Sequence, residues 1–170
     1  PVDVGWAAGG TLTTARTNPT ATLLASGKVL VTGGQRSAGS AIASAEIYDP
    51  ATNTWSVTNP LAAARYRHTA ILLPSGKVLV AGGNSNSGFL ASAELYDPTT
   101  NTWSAAGPLE IGRYYHTATL LPSGKVFVVG GIGTAGQVGS AELYDPTSST
   151  WSSAGSPANA PAYQPATLLP

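Results

Sequence analysis

A Gly-Gly doublet, a Tyr, and a Trp seven positions past that Tyr recur three times in this chain, at intervals of 48 or 49 residues. The doublets are Gly33-Gly34, Gly82-Gly83 and Gly130-Gly131, and the aromatic pairs are Tyr48/Trp55, Tyr96/Trp103 and Tyr144/Trp151. A period of this size means one supersecondary unit copied along the chain, each copy burying an apolar face that it cannot bury alone. The repeat therefore constrains the architecture before any single residue is read.

The stretch from Arg65 to Trp103 serves as the reference copy. His68-Thr-Ala-Ile-Leu-Leu73 is a short apolar segment, and Pro74-Ser-Gly-Lys77 places Pro and Gly where a tight reversal needs them. Val78-Leu-Val-Ala81 is a β-branched strand running into Gly82-Gly83, where glycine allows positive φ or a close backbone approach. An eight-residue Ser/Asn/Gly loop leads to Leu90–Tyr96, and Asp97-Pro-Thr-Thr-Asn-Thr102 forms a hairpin turn before Trp103. Each copy thus reads as four short strands, a to d, and no segment carries helical periodicity over ten residues.

Four strands per unit, with Gly-Gly and a spaced Tyr/Trp pair, resemble the kelch repeat, one blade of a β-propeller. Segments such as His116-Thr-Ala-Thr-Leu-Leu-Pro-Ser-Gly-Lys125 and Ser140-Ala-Glu-Leu-Tyr-Asp-Pro146 look most like kelch repeats of secreted bacterial proteins. The resemblance implies an all-β fold of four-stranded antiparallel blades. The expected divisions are 1–15 (a lone outer strand d and a loop), 16–58, 59–106 and 107–154 (three blades), and 155–170 (an inner strand a). The chain opens inside a c–d turn, where Pro1 matches Pro50, and Trp6 marks the lone d. Tyr163–Leu169 marks the lone a. Three blades are too few to close a kelch-like ring, which takes four to eight. The expectation is an incomplete ring, partnered by further blades of a longer chain or of other copies. Each open face projects on the order of 300 Å², and light scattering on native material would show whether copies associate.

Charged residues are only 9% of the chain and formal net charge is zero, so nothing favours nucleic acid. The apolar runs are far too short for a membrane-spanning helix. Without Cys there is no disulfide and no thiolate metal site. The absence of Cys and Met, with many small hydroxyl residues, points to an extracytoplasmic or secreted protein. Galactose oxidase also carries a kelch-like propeller, but its copper–radical cofactor needs a Cys cross-linked to a Tyr. No cofactor is expected, and the chain reads as non-enzymatic.

Twelve of the sixteen charged residues fill slots occupied in all three copies: Arg16/Arg65/Arg113, Lys28/Lys77/Lys125, Glu46/Glu94/Glu142 and Asp49/Asp97/Asp145. A catalytic acid or base is needed once, so recurrence marks these as structural. The Arg/Glu set is expected to pair, because an unpaired buried charge is costly. By the same logic the Tyr and Trp of each copy, Trp55, Trp103 and Trp151 included, are expected to pack between adjacent sheets. His68 and His116 share one slot, three residues past the arginine, where the other copies hold Pro19 and Gln164, so no third metal ligand emerges.

The remaining charges are Asp3, Arg36, Arg67 and Glu110. Strands alternate direction in an up-and-down sheet, so the d–a and b–c connections share one rim, and all of these but Asp3 belong to it. The b–c loops also vary between copies, whereas the Ser-Gly-Lys turn on the opposite rim is identical in all three. Binding residues concentrate on loops held by a rigid scaffold. The candidates are Arg36, Tyr66, Arg67, Asn84, Asn86, Phe89, Glu110, Tyr114, Tyr115 and Gln137. Tyr and Arg suit a protein ligand, and Tyr with Asn or Gln also suits a glycan. Two other readings are a structural segment of a larger propeller or self-assembling structure, and the accessory propeller of a carbohydrate-active or oxidase enzyme.

Overall fold

The computed structural model describes residues 10–156. Three antiparallel four-stranded sheets follow one another, and no helix occurs among the described residues. Blade 1 contains β1 (Thr20–Leu23), β2 (Val29–Thr32), β3 (Ala45–Asp49) and β4 (Thr54–Val57). Blade 2 contains β5 (Thr69–Leu72), β6 (Val78–Ala81), β9 (Ala93–Asp97) and β10 (Thr102–Ala106). Blade 3 contains β11 (Thr117–Leu120), β12 (Val126–Val129), β15 (Ala141–Asp145) and β16 (Thr150–Ser153). The inner strands β1, β5 and β11 adjoin in turn, so the blades fan out from one axis without closing a ring. The lone d around Trp6, the lone a at Tyr163–Leu169, Gln164 and Asp3 lie outside the described residues.

The b–c connections are more ordered than the loops expected from their Ser, Asn and Gly content. In blade 2, β7 (Asn84–Ser85) pairs with β8 (Gly88–Phe89), and in blade 3, β13 (Ile132–Gly133) pairs with β14 (Gly136–Gln137). The physical reason is a two-residue reversal closed by a positive-φ glycine, Gly88 at 119° and Gly136 at 100°. Blade 1 has one residue more in this loop, and a turn of Gly39 N–H onto Arg36 C=O replaces the ribbon.

The core lies between blades, not inside any one of them. Side chains alternate across a strand, so one strand serves two interfaces. In β6, Val78 and Val80 pack on blade 1 with Leu24, Leu30, Ala45 and Tyr96, while Leu79 and Ala81 pack on blade 3 with Val126, Val128 and Tyr144. Tyr96 and Tyr144 are buried, and each hydroxyl reaches its own c–d turn, at Asn101 Oδ1 (3.0 Å) and Ser149 Oγ (3.0 Å).

The tryptophans correct the expectation that both aromatics of a copy are buried between sheets. Trp55, Trp103 and Trp151 are only half-buried, each on the outermost strand of its blade. Each ring tilts onto the tyrosine directly across the c–d pair of its own blade: Trp55 on Tyr48, Trp103 on Tyr96 and Trp151 on Tyr144, at 5.1, 4.9 and 5.1 Å. The reason is the fan. Blades diverge with distance from the axis, so strand d has no sheet close enough to cover an indole. The indole N–H instead clips the chain entering the blade, donating to the carbonyls of Gly10 (Trp55, 2.7 Å), Asn59 (Trp103, 2.8 Å) and Gly107 (Trp151, 2.6 Å). The tryptophans therefore edge the core, and Trp103 and Trp151 touch it only at its border.

The glycine doublet is explained by the interfaces between blades. The first glycine faces the next blade: a Cβ at Gly33 would sit 2.4 Å from Arg65 O and 2.8 Å from the His68 ring. The second faces its own inner strand: a Cβ at Gly83 would lie 2.8 Å from both Tyr66 O and His68 Cβ. Positive φ at both positions reinforces the requirement.

Candidate functional site

Two sets of ion pairs define the two rims. On one, the a–b and c–d turns meet through Lys28–Asp49, Lys77–Asp97 and Lys125–Asp145 at 2.9, 3.2 and 3.0 Å. Each aspartate also accepts the backbone N–H two residues on, which caps the turn. Hydrogen bonds from Thr99 and the nearby Lys77 hold the Asp97 carboxyl down to about 2. This rim is used up by its own turns.

Behind the other rim lie three buried anchors. Arg16, Arg65 and Arg113 pair with Glu46, Glu94 and Glu142 of the same blade at 2.5, 2.7 and 2.6 Å. Each arginine Nη1 also donates to the carbonyl of the first doublet glycine and to a serine carbonyl: Gly82 and Ser92 in blade 2, Gly130 and Ser140 in blade 3. The glutamates accept d–a loop N–H groups in return, from Ala62, Ala63 and Glu110 among others. Burial lowers the Arg65 and Arg113 pKa values, and the facing glutamates oppose that shift. The pairs lie within blades, and each ties a d–a loop to its own strand c.

The histidines link blades. His68 Nε2 lies 2.8 Å from Thr20 Oγ1 and 3.2 Å from Thr32 Oγ1 of blade 1, and His116 Nε2 lies 2.9 Å from Thr69 Oγ1 of blade 2. Burial, with a contribution from the neighbouring arginine, pushes both imidazoles down to about 3, so they are neutral. Among the described residues no three His, Cys, Asp or Glu gather as metal ligands.

The variable rim is bonded together in every blade. Thr17 pairs with Gln35, Tyr66 with Asn84, and Tyr114 with Ile132, so each d–a connection is bridged to its own b–c loop. Six of the ten candidate residues form one cluster where blades 2 and 3 meet. Phe89 and Tyr114 stack face to face, 5.0 Å apart and 7° from parallel, and Tyr115 packs on Tyr114 at 4.8 Å. The Arg67 guanidinium lies 4.3 Å from the Tyr115 ring centre, 5.4 Å from Tyr66 and 6.0 Å from Tyr114. Asn84 Nδ2 donates to Tyr66 Oη at 2.9 Å.

Four candidates fall elsewhere. Asn86 Oδ1 accepts the Ala41 N–H of blade 1, an interblade bond between loop tips. Glu110 uses its backbone N–H as its counterpart Ala62 does and leaves an exposed side chain, and Gln137 is exposed at the end of β14. Arg36 is exposed on blade 1, lining a groove of about 520 Å³ with Thr13, Thr14, Thr17, Gln35 and Ser37.

The cluster carries a feature that residue identity did not reveal. Arg67 and Tyr115 have φ of 54° and 55°, the left-handed region, in a slot that blade 1 fills with Asn18 at 52°. Asn tolerates this conformation, whereas Arg and Tyr adopt it at a cost. Asn18 was the available signal, because two residues past Arg16 it occupies the same place in the repeat. The slot is also an interblade link: Arg67 N–H donates to Asn18 C=O, and Tyr115 N–H to Arg67 C=O, both at 3.3 Å.

A family model described as the KLHDC2/KLHL20/DRC7 Kelch-repeats domain matches residues 19–167. Among solved structures, that of YjhT aligns with a TM-score of 0.69 over 84% of this chain at 19% identity, a likeness of fold. The match takes in 52% of the YjhT chain, so the present chain spans about half its length. No curated protein matches the chain. Three four-stranded blades, anchored by the same Arg–Glu pair and joined by the same glycine doublet, agree with that family model, and the chain belongs to the kelch-repeat family of β-propeller proteins.

Proposed function

We propose that the chain is a non-enzymatic recognition module that binds a protein partner through the d–a/b–c rim at the junction of blades 2 and 3. The observation that carries this reading is the pair Arg67 and Tyr115, both in the left-handed region, where the repeat's own alternative is Asn18. Backbone strain of this kind collects at functional sites, and here it positions a guanidinium among three tyrosine rings. Tyr and Arg are the side chains that most often dominate protein interfaces. The Lys–Asp rim offers no comparable cluster, since its charges are paired within each blade. The lack of Cys and Met fits work outside the cytoplasm.

The test uses the repeat's own solution. Arg67→Asn with Tyr115→Asn keeps the backbone conformation and removes the guanidinium and the phenol. On a peptide array run beside a glycan array, the native chain is expected to retain peptides and the double variant to bind them at least tenfold more weakly, as for interface hot spots. Equal binding by both proteins overturns the assignment, and retention on glycans alone moves it to a sugar ligand.

A second reading, a structural segment covered by other blades or copies, is favoured by the outward face of blade 1. Leu23 there is 63% exposed, and Tyr48 is half-buried where Tyr96 and Tyr144 are buried. Light scattering that shows a mass above 17.1 kDa, growing with concentration, would favour it.

A further inference from the structure

Both interfaces between blades use one set of polar contacts. From blade 1 to blade 2, Gly34 N–H donates to Arg65 C=O at 2.8 Å, and Thr20 Oγ1 meets His68 Nε2 at 2.8 Å. From blade 2 to blade 3, Gly83 N–H donates to Arg113 C=O at 2.8 Å, and Thr69 Oγ1 meets His116 Nε2 at 2.9 Å. A threonine hydroxyl on one blade therefore receives the histidine standing three residues past the arginine of the next. The chain presents the first half of this contact a third time. Thr117 begins β11 as Thr20 begins β1 and Thr69 begins β5, and Gly131 matches Gly34 and Gly83.

Thr117 Oγ1 is shut off from solvent and has no hydrogen-bond partner. Native structures rarely leave a buried hydroxyl unsatisfied, because its desolvation is then uncompensated. The apolar residues beside it are incompletely covered too. Phe127 and Val129 are half-buried, whereas Leu79 and Ala81, their counterparts in blade 2, are each 1% exposed. We propose that this face of blade 3 is a docking socket for a further kelch blade whose inner strand opens Arg-x-x-His. That histidine would pair with Thr117 Oγ1, and the arginine carbonyl would accept the Gly131 N–H.

The argument rests on continuity with two interfaces already formed, and it does not depend on the rim's binding role. It also selects among occupants. Blade 1 of a second copy holds Pro19 in the histidine slot and brings no donor. Gln164, at that place in the next copy of the repeat, lies outside the described residues, and the test separates it.

Threonine-to-valine exchange keeps shape and removes the hydroxyl. In the full 170-residue chain, Thr69→Val is expected to lower the thermal midpoint by about 2–4 °C, the effect of one hydrogen bond in a protein of this size. Thr117→Val is expected to leave the midpoint unchanged or raise it, since no bond is lost. Replacing residues 155–170 with a second copy of residues 107–154 supplies Arg-x-x-His. The midpoint should then rise, and Thr117→Val should now cost the same few degrees as Thr69→Val. The proposal is overturned if Thr117→Val already costs that much in the native chain and Gln164→Ala abolishes the difference, which would assign the socket to the chain's own amide. It is equally overturned if the extended chain is no more stable, or if Thr117→Val has no effect in it.

Discussion

Arg65 illustrates how a polar residue can be the most buried in a β-protein. Its side chain is 0% exposed, yet its terminal nitrogens find Gly82 O, Ser92 O, Ser92 Oγ and Glu94 Oε1. Removing one member of such a pair leaves the other charged and dehydrated, at a cost of about 3–5 kcal/mol. Glu94→Ala should therefore lose much of a stability that for typical domains totals about 5–15 kcal/mol, read from the midpoint of urea unfolding. Lys77→Ala, at an ion pair whose lysine is 42% exposed, should leave that midpoint almost unchanged. The buried histidines give a pH signature. Their folded pKa values lie at about 3, below the ordinary 6.5, so below pH 6.5 the unfolded chain binds protons that the folded chain does not. Stability is complete above pH 6.5 and falls toward pH 3, by up to about 1.4 kcal/mol per pH unit for each histidine. Unfolding followed between pH 6.5 and 4.5 should show this slope, and replacing both histidines with Gln should flatten it.

At the scale of elements, the strands, the hairpin turns and the glycine doublet follow from β-branched runs and Pro/Gly punctuation. The ribbons β7–β8 and β13–β14 were not legible, because Asn, Ser, Gly and Thr carry no period-2 pattern and the pairing is fixed by a two-residue turn. The half-exposure of Trp55 and Trp151 was not legible either, since it follows from the splay of the outer strands and not from the residue type. The partner of each doublet glycine was hidden as well, because Gly33 meets residues of the following copy, 32 and 35 positions on. These contacts predict a contrast between glycines. Gly83→Ala places a Cβ 2.8 Å from Tyr66 O at a φ of 98°, and should cost more than about 1 kcal/mol. Gly139→Ala meets nothing within 4 Å, its φ is not positive, and it should change stability by less than about 0.5 kcal/mol. Thermal melts of the two variants would decide it.

On the scale of the whole molecule, burial is set by whether a blade has neighbours. Leu79 in β6, the middle blade, is 1% exposed and packs toward blade 3, so Leu79→Ala should cost about 2–5 kcal/mol. Leu23 in β1 is 63% exposed, so Leu23→Ala should be nearly silent in the same denaturation experiment.

The candidate rim was legible for a related reason. Subtracting what recurs left Arg36, Arg67, Glu110 and the b–c loops as private features, and the alternation of strand direction placed these on one side. Which of them meet was not legible, because the Arg67–Tyr115 contact and the Phe89–Tyr114 stack depend on how one blade sits against the next. The sequence by itself determined the unit, its count and its polar anchors, because a repeat states its local requirements once per copy. Only the tertiary structure decided which blade each histidine serves, how far each tryptophan is covered, which loops become ribbons and which rim residues form one surface. Those outcomes depend on contacts between copies, and a periodic pattern carries no record of the distance or angle at which one copy meets the next.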